Sequence, residues 1–383
     1  MRVGIDGIPL CEPKTGVGHY TFELSRSLAA LAPQDEFKLI SHAPFAAALK
    51  SEIDENPLPP NLSLTQKKAQ GLDRFWWTAG LPRYIRQNEF DLFHGTNYDV
   101  PLWKVCPTVL TIHDLSLLLH SETHERRRVR RGRRRLPVMA RAATMIVTHL
   151  ESIRREIIEH LNVPPARIVA VPAAPRSVFR PALAEETAPV RMRLGVEDEF
   201  VLFVGTLEPR KNLQTLIRAF DEILRATDKR PQLVIVGKKG WLTNDLFAGI
   251  EEADITDRLC FTGYLSDEEL RALYSSCRAF VYPSLYEGFG LPPLEAMACG
   301  APVIASRIES LMETTGNAAR LINPASTQEL AQSIIALLDD EGERRHLSEA
   351  GRKRAAEFTW ARSARGTLQV YAEAIKRRQK GKA

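Results

Sequence analysis

The chain has 383 residues, of which 44% are hydrophobic and 26% charged, with a formal net charge of +5. These values suit two soluble globular domains and leave nucleic acid without the strong basic balance it would need. The five cysteines are scattered, with no Cys-x-x-Cys pair and no metal-ligand spacing to the nine histidines. They read as small core residues in a reducing cytoplasm.

The elements alternate from the start. Residues 2–7 read as a buried strand, 15–19 as a glycine-bearing loop and 19–31 as a helix. Strands follow at 37–41, 91–94, 108–113, 144–148 and 168–171. Prolines at 164, 165, 172, 175 and 181 break the pattern, and the domain linker is expected at 172–189. The second half repeats the alternation. Strands are expected at 200–204, 232–236, 258–262, 279–282 and 302–306, with helices at 213–224, 267–275, 291–299, 327–338, 343–357 and 360–377. Strands separated by helices imply an α/β protein with parallel sheets and crossover helices. No run approaches the length of a membrane span, and the amino-terminal residues read as a strand rather than a signal peptide.

Four constellations carry chemistry. The densest runs from Pro283 to Glu295 and joins a strand to a helix. Gly288 and Gly290 allow close backbone approach, and the N–H groups from Gly288 through Phe289 and Gly290 to Leu291 favour an anion at the helix start. Glu287 and Glu295 are expected to face one cleft, where carboxylates suit sugar hydroxyls, although a helix-start charge explains them equally well. A second strand-to-helix turn holds Gly205, Arg210 and Lys211, the last two suited to clamping phosphate oxygens or else a solvated basic turn, with Asn212 as a helix cap. Gly16 and Gly18 form half of a dinucleotide-type glycine loop after the first strand, and which of the two would meet a phosphate stays open. His113-Asp114 ends another strand. No Asp-x-Asp pair is present, so no metal is implied.

Taken together these pieces resemble the retaining GT-B glycosyltransferases of family 4, which include bacterial mannosyltransferases. The Glu-x7-Glu spacing from Glu287 to Glu295 carries the resemblance most strongly. It is joined by Phe-Val-Gly-Thr-Leu-Glu-Pro-Arg-Lys-Asn at 203–212, Phe-Thr-Gly-Tyr-Leu-Ser-Asp-Glu-Glu-Leu at 261–270 and Ala-Cys-Gly-Ala-Pro-Val-Ile-Ala at 298–305. The resemblance implies two Rossmann-like, doubly wound parallel-sheet domains with a cleft between them. The acceptor-side domain would span 1–180, with a final helix at 360–378 packed back on it, and the donor-binding domain 190–358. It further implies that Glu295 holds ribose hydroxyls, Glu287 faces the donor sugar, Arg210 and Lys211 neutralise the leaving diphosphate, Gly16 touches phosphate, His113 contacts the transferred sugar and Tyr264 lies near the base.

The resemblance implies no tightly bound cofactor; a nucleotide-diphosphate sugar is the donor, with a GDP-hexose as first expectation. The acceptor would be a glycan or a polyprenyl-linked sugar in surface polysaccharide or lipopolysaccharide synthesis. A sugar-nucleotide epimerase and a basic adaptor without catalysis are the alternative readings.

Eight arginines lie among the ten residues from Arg126 to Arg135. The run is a candidate for peripheral contact with anionic lipid at the inner face of the membrane, against a solvated basic face as the plain alternative. If the segment is helical, the arginines are not expected to leave a clean apolar stripe. No stacking aromatics interleave them, which speaks against nucleic acid.

Overall fold

The computed structural model describes residues 1–68, 71–241 and 255–380. The chain divides into two compact units. One contains Met1–Leu115, Arg130–Ala173 and the segment from Thr359 onward; the other contains Ser116–Val129 and Ala174–Phe358.

The first unit is built on strands β1 (Arg2–Asp6), β2 (Glu36–Ser41), β3 (Leu62–Gln66), β4 (Leu92–Gly95), β5 (Thr108–Thr111), β6 (Met145–Thr148) and β7 (Ile168–Ala170). They form one sheet in the order β3-β2-β1-β4-β5-β6-β7, parallel throughout. Strands β4, β5 and β6 are buried at every position, as expected for a sheet covered on both faces. The last helix, Trp360–Lys380, packs against the Gly16–Leu31 helix. It is pinned to the sheet by the buried Tyr371 hydroxyl, 2.8 Å from His94 Nδ1.

The second unit repeats the plan with β8 (Phe200–Val204), β9 (Gln232–Val236), β10 (Leu259–Gly263), β11 (Ala279–Tyr282), β12 (Val303–Ser306) and β13 (Arg320–Ile322), in the order β10-β9-β8-β11-β12-β13. In each sheet the order reverses beside the first strand. Ligands of open α/β sheets bind at that reversal, outside the carboxyl ends of the strands. The Gly16 segment follows β1. The Gly205 turn follows β8, and the 283–290 loop follows β11, its neighbour.

Several elements differ from the sequence expectation. The glycine loop at 15–19 is already helix, because the helix begins at Gly16. The expected linker at 172–189 runs into a helix, Ala184–Leu194, with Pro189 inside it. Acidic Glu185 and Glu186 in its first turn, Arg191 and Arg193 in its last and the left-handed Gly195 after it outweigh one proline. Glu186 is also fixed from outside the helix, accepting from Arg271 at 2.9 and 3.0 Å. Strands β3 and β13 were not expected, because they lie at sheet edges, are only partly buried and carry no continuous apolar run.

The arginine run is a helix, Arg126–Ala142. Val129, Leu136, Met139 and Ala140 turn inward, and Arg126, Arg127, Arg128, Arg130, Arg131, Arg133 and Arg134 lie outward. Arg135 is half-buried and paired with Asp99. The apolar stripe is therefore clean, contrary to expectation, because only a few inward positions are needed and none is an arginine.

Candidate active site

In the second unit β8 ends at Val204, and the turn that follows returns through Pro209–Lys211 into the Leu213–Ala226 helix. Asn212 does not cap that helix with its side chain. Its backbone is left-handed at φ +56°, and its Nδ2 donates to the carbonyls of Pro283 (3.0 Å) and Pro324 (2.8 Å). Leu285 N–H donates to the Arg210 carbonyl at 2.9 Å. The two predicted loops are thus stitched together.

Between them lies a buried charge cluster. Lys211 Nζ donates to Glu287 Oε1 at 2.5 Å and to the Tyr282 hydroxyl at 2.6 Å. Arg210 donates to the Tyr286 carbonyl (2.8 Å) and Glu208 (2.6 Å), and lies 3.2 Å from Glu287 Oε2. Burial pushes the Glu287 carboxyl up, but Lys211 and Arg210 pull it down further, to about 2. Burial lowers the Lys211 ammonium, with Glu287 opposing. Glu287 is therefore ionised near neutrality and held on both oxygens by cations. It is neither a proton donor nor a loose nucleophile.

The loop after Glu287 enters the Leu291–Ala298 helix through Gly290, whose φ is +86°. A Cβ there would also stand 2.6 Å from Leu311 Cδ2. Pro292 and Pro293 remove two of the four N–H groups that a helix start leaves without intrahelical acceptors, so Gly290 and Leu291 supply the rest. Gly288 is half-buried. Phe289 is a core residue: its ring packs edge-on against Phe358 and its carbonyl accepts from Thr314 at 2.5 Å.

Glu295, one turn into the helix, belongs to a different group. Its Oε1 accepts from Arg176 Nε at 3.3 Å and Nη2 at 3.2 Å, and Arg176 Nη1 donates to Asp267 at 2.5 Å. The guanidinium lies over the Phe179 ring at 4.6 Å. Burial raises the Glu295 carboxyl above the usual range, with Arg176 opposing. The two glutamates thus sit in two separate ion-pair groups. Arg176 was invisible to motif reading because it lies 119 positions away in a proline-rich stretch; its only sequence signal was an arginine among apolar and small residues. Tyr264 is 58% exposed, with Lys238 Nζ 5.2 Å from its ring centroid.

In the first unit, Gly16 and Gly18 both lie in the first turn of the helix after β1. A Cβ on Gly16 would meet nothing within 4 Å, whereas one on Gly18 would stand 2.9 Å from the Pro9 carbonyl. Gly18 therefore has a packing reason to be glycine, and Gly16 has none within the unit.

His113 lies two residues beyond β5. Its Nε2 is 2.8 Å from the Thr96 carbonyl and its Nδ1 2.8 Å from His149 Nε2. The carbonyl only accepts, so Nε2 carries the proton, and in the neutral ring Nδ1 accepts from His149. Burial depresses both histidines, His149 to about 3. Both His113 nitrogens are engaged inside the unit, and the expected sugar contact has no uncommitted ring nitrogen to use. Among the described residues no group of three or more His, Cys, Asp or Glu is placed to hold a metal, and no helix is long and apolar enough to cross a membrane.

Comparison with known proteins follows the same division. The family described as glycosyl transferases group 1 matches residues 185–354, and glycosyltransferase family 4 matches 14–174. The chain is 32% identical to O-antigen chain mannosyltransferase B of Escherichia coli, over 97% of this chain and 99% of that one. It is 34% identical to the serotype-specific mannosyltransferase WbdA of Escherichia coli over 71% of this chain, and spans only 34% of that longer protein. The crystal structure of Anabaena Alr3699/HepE in complex with UDP and glucose superposes with a TM-score of 0.74 at 19% identity, over 97% of this chain and 99% of that one, which is a likeness of fold.

Proposed function

This chain is a glycosyltransferase of family 4, with the two parallel-sheet units of the GT-B class, and from that membership we propose that it transfers mannose or a related hexose from a GDP-sugar to a glycan or polyprenyl-linked acceptor, with retention of anomeric configuration. The observation that carries the reading is the buried Arg210–Lys211–Glu287 cluster at the strand-order reversal of the second unit. Breaking a sugar–diphosphate bond leaves positive charge at the anomeric carbon and negative charge on the departing phosphates. Fixed cations and helix-start N–H groups lower that barrier without reorganising.

In this reading Arg210, Lys211, Gly205 and the backbone from Gly288 to Leu291 hold the diphosphate, and Glu287 orients both the cations and a sugar hydroxyl. Glu295 accepts from the ribose diol through the oxygen not taken by Arg176. Tyr264, exposed after β10, flanks the base. Gly16 lets a phosphate approach the first unit's helix, and His113, its ring fixed by Thr96 and His149, borders the transferred sugar. The names of the relatives support mannose and surface-polysaccharide synthesis; a GDP donor and a cytoplasmic site complete the proposal. The outward arginines of the Arg126–Ala142 helix would bring the enzyme to anionic lipid, where a polyprenyl-linked acceptor resides.

The test supplies GDP-mannose, UDP-glucose and UDP-N-acetylglucosamine in turn with a mannose-terminated oligosaccharide. We expect transfer from GDP-mannose alone, with the one-bond carbon–proton coupling at the product's anomeric centre that of the donor's anomer. Transfer from a UDP-sugar instead would reject the donor assignment, and inverted coupling would reject retention.

A further inference from the structure

The first unit carries a basic concavity that none of the above uses. It has a volume of about 610 Å³ and is lined by Lys104, Arg141, Ala143, Thr144, Arg167, Arg377 and Arg378. Thr144 directly precedes β6 and Arg167 directly precedes β7, while Lys104 lies just before β5. The concavity therefore lies at the amino ends of these parallel strands, opposite the carboxyl ends that the Gly16 and His113 segments follow.

Five of the seven lining residues are cations and none is acidic. Three arginines are fixed by main-chain carbonyls. Arg167 donates to Ala140 (2.9 Å), Thr144 (3.4 Å) and Ala143 at the carboxyl end of the arginine-rich helix. Arg377 donates to Ala166 (2.8 Å) and Arg378 to Lys104 (2.7 Å). Among the described residues the carboxylate paired with any of the five is Glu373, on Arg377 at 2.6 Å. Burial, and then the charge of Arg377, lowers Arg167 below its ordinary value, so the cations repel one another. Helix capping and chain tethering account for Arg167 and Arg378. Neither explains the exposed Lys104 and Arg141, which complete the ring.

We propose that this concavity binds a phosphate-bearing anion of two or more charges, a diphosphate or a phosphomonoester. The arginines are pre-oriented by the carbonyls they hold, and each guanidinium has five donors to share. The same chemistry is offered by a soluble diphosphate and by the headgroup of a phospholipid. Trp103, 66% exposed and next to Lys104 in the sequence, serves as a reporter.

The experiment titrates the full chain with inorganic pyrophosphate and reads Trp103 emission as the difference between the native protein and Trp103→Phe. A Lys104→Gln/Arg141→Gln variant removes two cations whose side chains make no hydrogen bond or ion pair among the described residues, so its melting temperature should match the native value. We expect a saturable Trp103 response whose midpoint rises about tenfold or more in the double variant. The donor site in the second unit is untouched by these changes, so any pyrophosphate bound there cannot produce the difference. Parallel titrations use vesicles of phosphatidylcholine with and without phosphatidic acid. A Trp103 blue shift confined to phosphatidic acid, and lost in the double variant while the run from Arg126 to Arg135 is intact, assigns the anion to lipid. A response to pyrophosphate without one to vesicles assigns it to a soluble diphosphate. No Trp103 response to either probe, or an equal response in the double variant, overturns the proposal.

Discussion

Gly16 and Gly18 stand two residues apart in one helical turn, yet their surroundings predict opposite phenotypes. A methyl group on Gly18 would stand 2.9 Å from a backbone oxygen that has little room to move. Gly18→Ala should cost about 1–3 kcal/mol and lower the melting temperature. Gly16→Ala should leave the fold intact or slightly firmer, since alanine is the better helix former, and should reduce kcat/KM. Full activity in Gly16→Ala would remove that residue from the site. A similar separation applies to Arg176, whose two donors fix one oxygen of Glu295. Lysine cannot supply that fork. Arg176→Lys should bind the donor nucleotide more weakly and prefer it less strongly over its 2′-deoxy analogue, as calorimetry with both ligands would read. An unchanged preference would mean that Arg176 serves the fold alone.

At the scale of elements, the 283–290 loop depends on one backbone torsion. At φ +86°, Gly290 occupies a region that costs an ordinary residue about 1–2 kcal/mol, and its missing Cβ makes room for Leu311. Gly290→Ala should lower stability by at least that amount, measured by urea unfolding. The loss of activity should be larger, because the helix start moves with the torsion. The Arg126–Ala142 helix makes a different prediction. Its buried stripe holds it to the fold and leaves its arginines outward. Replacing Arg130, Arg131 and Arg134 by glutamine should weaken sedimentation with anionic vesicles by roughly fivefold per arginine, the equivalent of ~1 kcal/mol each. The effect should fade with added salt. Vesicle binding that is unchanged by the three substitutions would assign the run to a solvated surface.

For the whole molecule, buried titratable groups set the response to acid. Burial holds His94 and His149 at about 3, far below the 6.5 of an exposed ring. The unfolded chain therefore takes up two protons below pH 6.5 that the folded chain refuses, and stability falls as pH drops through that range. Asp6 works the other way. Burial raises it to about 7, so the folded chain keeps a proton that the unfolded chain has lost above 3.8. Between about pH 4 and 6.5 the three groups leave one excess proton on the unfolded side, or about 1.4 kcal/mol per pH unit. Asp6→Asn removes the offset and should steepen the dependence of unfolding free energy on pH by about 1.4 kcal/mol per pH unit in that window. An unchanged slope would mean that Asp6 is ionised in the folded state.

The sequence by itself determined the class of fold, because continuous apolar strands alternating with amphipathic helices have few solutions other than parallel sheets covered on both faces. It also determined which loops matter, since glycine, proline and charge gather there at fixed spacing. It did not reveal the edge strands β3 and β13, whose partial burial leaves them without a continuous apolar run, nor the Ala184–Leu194 helix, whose proline masked good terminal signals. Only the tertiary structure decided what each charge faces. Glu287 and Glu295 are eight positions apart, yet one meets Lys211 and Arg210 while the other meets Arg176, which it shares with Asp267. His113 is committed to His149 and Thr96. Local sequence sets backbone propensity over a few residues, whereas a buried charge or ring nitrogen takes its state from partners tens of positions away that only folding brings within hydrogen-bond range.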